Sequence, residues 1–328
     1  VRLRGVVDDR AVVDRVGHRI QVGVARQRVG APEQHFVSVA DTVSVRVRVG
    51  RIGAEDEDLI AVAEAITVGV GVNSPYLFGR QLWQETRIPL FEQSVDVGGL
   101  AGASHGPLHR VTFGSGYARE SIMECFVENE QHYPVMLPMQ FHDGLEQMSH
   151  LRLHNGTIWR WNRPLIGFDD DGKPHLRIEH RVVPAGPSVV DCIANAALYF
   201  GLVTGLAEAA AELTQQVSFV QARNNFYAAA RDGLRARLGW ADAQQLSAAA
   251  LLRQVLLPRA RAGLGQLGVD AAEITQWLGV IEGRLANQQT GASWQRAWVK
   301  RHGPDMLGLT QAYLEHQQSG RAVHEWDV

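Results

Sequence analysis

His175-Leu-Arg-Ile-Glu-His-Arg-Val-Val183 is a run in which polar and apolar side chains largely alternate. In an extended strand, Arg177, Glu179 and Arg181 share one face of the sheet, and an apolar layer lies on the other. A carboxylate between two guanidinium groups is costly to bury unless it is paired or binds a ligand. Two interpretations follow: a site for an anionic ligand with a divalent metal, or a salt-bridged face of an antiparallel sheet.

The neighbouring sequence predicts a second strand beside this one. Leu151–Pro164 and Pro174–Val183 carry the strongest β signal in the chain, and Asp169-Asp-Asp-Gly172 lies between them. Turn residues between two alternating runs are typical of an antiparallel hairpin. We therefore predict two antiparallel strands that are joined by a tight acidic turn.

Helices are predicted on both sides of the hairpin. Ser188 and Asp191 form a capping-box pattern, which predicts that a helix begins there and runs to about Leu213. This helix is apolar nearly all round and should be buried beneath the sheet. Residues 214–328 are predicted to be helical, with Trp294 and Trp298 in the core. Further helical segments are predicted over 115–126, 225–231, 248–267 and 271–287, the last stopped by Gly291.

Composition excludes several classes of protein. The formal net charge of -3 argues against a nucleic-acid binder, which needs an excess of basic residues. Cys125 and Cys192 lie far apart without metal-ligand spacing, so a reducing compartment is expected. No apolar run of membrane-spanning length is free of charge. We predict a cytoplasmic chain without a nucleic-acid or membrane partner.

Residues 1–72 differ from the rest of the chain. They are rich in Val interleaved with Arg and Gly, and Phe36 is their only aromatic residue. Alternation over Val43–Gly50 is typical of strands, but few large side chains could pack against them. We predict that residues 1–72 are an atypical leader, either disordered or spuriously translated, and that a folded region begins at residue 73.

Several stretches, in order along the chain, resemble bacterial members of the glutamate-cysteine ligase type 2 family of carboxylate-amine ligases. The resemblance covers residues 73–328. The matching stretches are Asn73-Ser-Pro-Tyr-Leu-Phe-Gly-Arg80, Trp83-Gln-Glu-Thr-Arg87, Phe91-Glu-Gln-Ser-Val95, Leu153-His-Asn-Gly-Thr-Ile-Trp-Arg-Trp-Asn-Arg-Pro164, the run from His175 to Pro187, and Gly320-Arg-Ala-Val-His-Glu-Trp326.

The resemblance implies an α+β fold with an incomplete antiparallel sheet of the glutamine-synthetase-like ligase type. Residues 73–213 would form the ligase-like α+β region, and residues 214–328 the helical C-terminal region of the same domain. The implied reaction joins a carboxylate of glutamate to an amine such as that of cysteine through an acyl-phosphate, with ATP and Mg²⁺ as cofactors. Such a reaction serves glutathione biosynthesis. The sequence leaves open whether the chain forms a homo-oligomer.

The resemblance also implies roles for four residues. Glu179 matches the family's metal ligand, and Arg181 matches a clamp on the phosphate or acyl-phosphate. Arg163 corresponds to an arginine at the nucleotide or substrate carboxylate. Arg87 occupies the place of an arginine that faces a substrate carboxylate. Hard oxygen ligands suit Mg²⁺, and guanidinium forks suit phosphate. Each assignment competes with a structural salt bridge.

Two features depart from the family pattern. The family's acidic first strand, Gly-x-Glu-x-Glu, and a later histidine near the nucleotide are not recognisable. Gly53-Ala-Glu-Asp-Glu57 imitates the strand, but the plainer interpretation is an acidic first turn before Leu59–Ala65. His154 and His180 are expected to be structural. The alternative function is a truncated, inactive ligase-like chain that at most binds a partner through an exposed sheet edge.

Overall fold

The computed structural model describes residues 11–13, 20–24, 43–47, 54–95, 109–241 and 245–328. The chain divides into two units, Val1–Arg51 and Ile52–Val328. The first unit contains a three-stranded antiparallel sheet in the order β1-β2-β3. Its strands are β1 (Ala11–Val13), β2 (Ile20–Val24) and β3 (Val43–Val47). The alternating valines therefore form a strand as predicted, while most of the predicted leader lies outside the described residues.

Helix α1 (Ala54–Gly71) begins the second unit, so the division of the chain falls at Arg51 rather than at residue 72. Its C-terminal half is buried in the core and includes Ile66 and Val68. Small and β-branched side chains can pack in this way without aromatic residues when helices approach closely. Ala54–Glu57 form the start of this helix rather than a strand, which agrees with the plainer interpretation.

The rest of the second unit is mainly helical, with short strands between the helices. The helices are α2 (Arg87–Ser94), α3 (Met123–His132), α4 (Ser149–Gly156), α5 (Val189–Leu206), α6 (Ala210–Gln216), α7 (Phe219–Asp232), α8 (Ala248–Leu251), α9 (Leu257–Gln266), α10 (Ala271–Asn287), α11 (Gly291–His302) and α12 (Met306–Gln318). The strands are β4 (Tyr76–Leu77), β5 (Arg80–Gln81), β6 (Val111–Thr112), β7 (Trp159–Arg160), β8 (Asn162–Phe168), β9 (Pro174–His180), β10 (Arg237–Gly239) and β11 (Gln245–Ser247).

Helix α5 lies in the centre of the hydrophobic core and begins with the predicted capping box of Ser188 and Asp191. It packs closely on α9, because a Cβ atom on Gly201 would lie 2.4 Å from the carbonyl oxygen of Ala260. The segment Val189–Gln216 is, among the described residues, long and apolar enough to cross a membrane by length and composition. Its buried side chains belong to the protein core.

Strands β8 and β9 form the predicted antiparallel hairpin, which fits the predicted α+β class. Their register runs from Asn162 opposite His180 to Phe168 opposite Pro174. The acidic turn is closed by the amide of Asp169, which donates to the carbonyl of Lys173 at 2.9 Å. In the second unit, as far as the structure describes it, every sheet has two strands.

Three local predictions are corrected by the structure. The first predicted strand is wrong over Leu151–Gly156, which belongs to helix α4, because a short alternating run does not by itself distinguish helix from strand. The helix predicted over 115–126 begins only at Met123. Helix α10 ends at Gln288 in the left-handed conformation, and Gly291 instead begins α11 beneath a Thr290 cap.

A second hydrophobic cluster docks the C-terminal tail on the helices. Trp294 and Trp298 lie in it with Trp326, which confirms that both tryptophans are core residues. The Trp326 indole packs edge-on against Trp294 and stacks on His316, with ring centroids 5.2 Å and 5.0 Å away. Both cysteines of the chain are free thiols.

Candidate active site

The polar face of the hairpin holds Glu179 between two arginines from different places along the strands. Its Oε2 lies 2.9 Å from Nε and 2.7 Å from Nη2 of Arg163, which is its partner directly across the ladder. The same oxygen lies 3.5 Å from Nε of Arg181. Arg177 lies opposite Leu165, and its Nη1 is 3.4 Å from the His175 ring. Of the three side chains predicted to share this face, Glu179 and Arg181 therefore lie together with Arg163, whereas Arg177 contacts His175.

Arg181 is held by an aromatic ring as well as by Glu179. Its guanidinium carbon lies 5.2 Å from the centroid of the Phe91 ring on α2. Its Nη1 atom is buried and has no hydrogen-bond acceptor in the described part of the chain. Burial lowers the pKa of Arg181, and Arg163 and Arg87 lower it further, while Glu179 opposes them. These positive groups therefore lie close enough to interact with one another.

Arg87 completes the group from the start of helix α2. Its Nη2 donates to the carbonyls of Arg181 at 3.2 Å and Val182 at 2.7 Å, just beyond strand β9. The guanidinium also lies 5.5 Å from the centre of the Trp161 ring. All four residues that the sequence singled out are thus brought together, although Arg87 is 94 residues before Arg181.

The Asn-Ser-Pro motif supports Arg87 through a buried carboxylate. Glu85 is fully buried and accepts hydrogen bonds from the Ser74 hydroxyl at 2.7 Å and the Asn73 amide at 2.8 Å. Its Oε1 lies 3.4 Å from Nε of Arg87. Burial raises the pKa of Glu85, while Arg87 and the hydrogen bonds from Asn73 and Ser74 lower it. The motif therefore supports the site indirectly, because it holds the Glu85 carboxylate facing Arg87.

The opposite face of β9 is anchored by His180. Its Nδ1 is 3.1 Å from Oδ1 of Asn162, its Nε2 is 3.3 Å from the Thr67 hydroxyl, and its ring stacks on Tyr199 at 4.0 Å. Burial and the nearby Arg87 lower the pKa of His180 to about 3. A neutral imidazole in these contacts holds the end of the strand against α1 and α5. His154 similarly approaches the Tyr133 carbonyl at 3.0 Å.

Glu92 is a site residue that the sequence did not single out. Its Oε1 accepts hydrogen bonds from the Trp161 indole and the Tyr227 hydroxyl, each at 2.8 Å. Burial raises the pKa of Glu92, and the two hydrogen bonds oppose that shift. Trp161 also contacts Phe91, with ring centroids 5.8 Å apart. Glu92 therefore stands behind the same aromatic layer that supports the arginines.

The family model for glutamate-cysteine ligase family 2 matches residues 24–318 of this chain. The chain belongs to this family. No curated protein matches the chain. Family membership supports a carboxylate-amine ligase that acts on small molecules, and the family generally uses ATP and Mg²⁺. The match begins at residue 24, well before Asn73, where the resemblance of the motifs begins.

The described residues do not fit the magnesium site that was predicted at Glu179. Mg²⁺ requires near-octahedral oxygen ligands and usually binds through carboxylates together with water and substrate phosphates. No group of three or more His, Cys, Asp or Glu side chains that could hold a metal occurs in the described ranges. One oxygen of the Glu179 carboxylate, Oε2, instead faces two guanidinium groups. A metal bound to this carboxylate would therefore lie beside two positive charges.

Proposed function

We propose that this chain is an ATP-dependent ligase that joins the γ-carboxylate of glutamate to the amine of an amino acid such as cysteine. The observation that carries the proposal is the convergence of Arg87, Arg163 and Arg181 at one end of the hairpin, in a member of this ligase family. Three guanidinium groups outnumber the two carboxylates beside them, Glu179 and Glu85. Such a surface suits ligands that carry carboxylate and phosphoryl groups.

The proposed reaction passes through an acyl-phosphate because a carboxylate is a poor electrophile. An oxygen of the glutamate γ-carboxylate attacks the γ-phosphorus of ATP, and ADP leaves with the electrons of the broken phosphoanhydride bond. The amine nitrogen then attacks the acyl carbon, phosphate leaves, and the amine proton passes to solvent. The products are the amide, ADP and phosphate.

The three arginines would divide the binding of the anionic groups. Arg181 would donate to phosphoryl oxygens, because its Nη1 has no acceptor among the described residues. Arg163 would contact the nucleotide or the substrate carboxylate from the neighbouring strand. Arg87, with a side chain that is 37% exposed, would face a substrate carboxylate. A preorganised donor to developing negative charge is worth roughly 3 to 4 kcal/mol in the transition state.

The experiment that tests this proposal is a coupled assay of ADP release with ATP, MgCl₂, glutamate and a panel of amino acids. We expect amine-dependent ADP release from the full chain and a loss of about 100-fold in kcat/KM for Arg181→Ala. Arg261→Ala is a matched control, because Arg261 forms an exposed ion pair with Glu282 on other helices. An Arg181→Ala rate equal to that of the control would contradict the assignment of Arg181.

A second candidate function is a ligase-like chain that binds the anionic substrates without turning them over. It is favoured by one observation, the lack of a metal-binding group in the described ranges. A rise in melting temperature with ATP and glutamate, together with no ADP release at any metal concentration, would support this candidate over the ligase.

A further inference from the structure

The contacts of Glu179 are those of an internal counter-ion. Arg163 approaches it with two nitrogens of one guanidinium fork, at 2.9 Å and 2.7 Å, and both reach the same oxygen. Nε of Arg181 lies 3.5 Å from that oxygen from the other side. Charge-assisted contacts of this kind fix the orientation of a guanidinium as well as its charge. Glu179 therefore fixes the direction of the Arg163 guanidinium and places a counter-charge beside Arg181.

A divalent metal at the same oxygen would meet strong repulsion. Each guanidinium carries one positive charge, and like charges about 4 Å apart repel each other strongly in a partly buried site. A doubly charged ion beside two such groups would face several times the repulsion between two single charges. The described ranges hold no group of three or more His, Cys, Asp or Glu side chains that could offset it.

Unlike Glu179, whose Oε2 is paired with arginines, Arg181 has a donor that lacks an acceptor among the described residues. Its Nη1 is buried with no acceptor in the described part of the chain, while its side chain keeps 21% of its surface exposed. A buried donor without a partner is destabilising, so an oxygen that reaches it forms a favourable hydrogen bond. The guanidinium carbon lies over the Phe91 ring, and Glu179 lies beside its Nε. The group is thus oriented before any ligand arrives.

We propose that Glu179 is a positioning residue and not a metal ligand, and that the Arg163–Arg181 pair which it orients binds a phosphate-type oxyanion without a divalent metal. This inference rests on the proposed function, because it concerns the same arginines. It differs from the role that the family resemblance implies for Glu179. The ligand class is an oxyanion with several oxygens, such as the terminal group of a polyphosphate.

The test uses the full chain and two separate probes. Binding of inorganic triphosphate is measured by calorimetry in EDTA, and binding of Mn²⁺ alone is measured by electron paramagnetic resonance. Glu179→Gln keeps an acceptor oxygen for Arg163 but removes the charge that a metal would need, whereas Glu179→Ala removes both. Glu282→Ala is the matched control from an exposed ion pair. Melting temperatures verify that each variant is folded.

We expect the wild-type chain and Glu179→Gln to bind triphosphate in EDTA with Kd values within about threefold, and Glu179→Ala to bind about tenfold more weakly. Mn²⁺ binding should be the same in all four proteins. Loss of a Mn²⁺ site in Glu179→Gln, or tighter triphosphate binding by Glu179→Ala, would overturn the inference and leave the ligase proposal standing. Absence of triphosphate binding both in EDTA and with Mg²⁺ would overturn the two together.

Discussion

Arg284→Ala should be among the most destabilising single substitutions in the second unit. Arg284 on α10 is 1% exposed and forms an ion pair of 2.7 Å with Asp191, which is 0% exposed. The same guanidinium donates to Oδ1 of Asn195 at 2.6 Å and to the carbonyl of Val70 at 3.2 Å. Asp191 in turn caps α5 and accepts the amide of Val323 in the C-terminal tail at 3.0 Å. One side chain therefore joins α1, α5 and α10, and its partner holds the tail.

The expected magnitude follows from the burial of both charges. Removing one member of a buried ion pair leaves the other charge uncompensated and typically costs about 3–5 kcal/mol. At roughly 2 °C per kcal/mol for a unit of this size, the melting temperature should fall by about 6–10 °C. The hydrogen bonds to Val70 and Asn195 are lost in the same substitution, which favours the upper part of this range. Ligand binding by molecules that remain folded should be unchanged, because Arg284 lies outside the candidate site.

Urea denaturation followed by circular dichroism gives the free energy of unfolding, and differential scanning fluorimetry gives the melting temperature. Arg261→Ala is the matched control. The Arg261–Glu282 pair is also an arginine–carboxylate ion pair, at 3.0 Å, but its side chains are 43% and 51% exposed. The control should change stability by about 1 kcal/mol or less. If Arg284→Ala unfolds at the same urea concentration as the control, the buried pair does not stabilise the junction as reasoned.

Two further predictions concern the aromatic layers. Because burial raises the pKa of Glu92 above its ordinary 4.5, its stabilising contribution is fully present below that value and is lost as pH rises through the folded pKa. The melting temperature of the wild type relative to Glu92→Gln should therefore fall as the pH rises above 4.5, and a constant difference across a fluorimetric pH series would contradict this. Trp326→Ala should cost about 3–5 kcal/mol in urea denaturation, because the buried indole packs on Trp294 and His316. A cost below that of Arg261→Ala would show that the tail does not stabilise the fold.

The features that the sequence predicted are those encoded by neighbouring residues. The sequence predicts the hairpin of β8 and β9 because the alternating residues and the turn at Asp169–Gly172 lie within one short stretch. It predicts the start of α5 because Ser188 and Asp191, which form the capping box, are three residues apart. In each case one local pattern determines both the type of element and the face that is buried.

The features that the sequence did not predict depend on distant partners. Helix α1 is a core helix because α5 and α7 cover it, and no pattern within residues 54–71 specifies those neighbours. Glu92 acquires its environment from Trp161, 69 residues later, and Tyr227, 135 residues later. Arg284 meets Asp191 across 93 residues. A polar residue whose partners arrive from other elements looks the same in sequence as an exposed one.

The candidate site combines local sequence patterns with contacts between distant residues. The family motifs located the arginines, but the Asn-Ser-Pro motif acts on them indirectly: Ser74 and Asn73 hold Glu85, Glu85 faces Arg87, and Arg87 fixes the carbonyl of Arg181. Each of these contacts orients a positive group. The negative group at the centre of the site, Glu179, is then balanced by the arginines, so its charge is used within the protein. Because an oxyanion would complete this arrangement and a cation would oppose it, anion binding should persist when divalent metal is withdrawn.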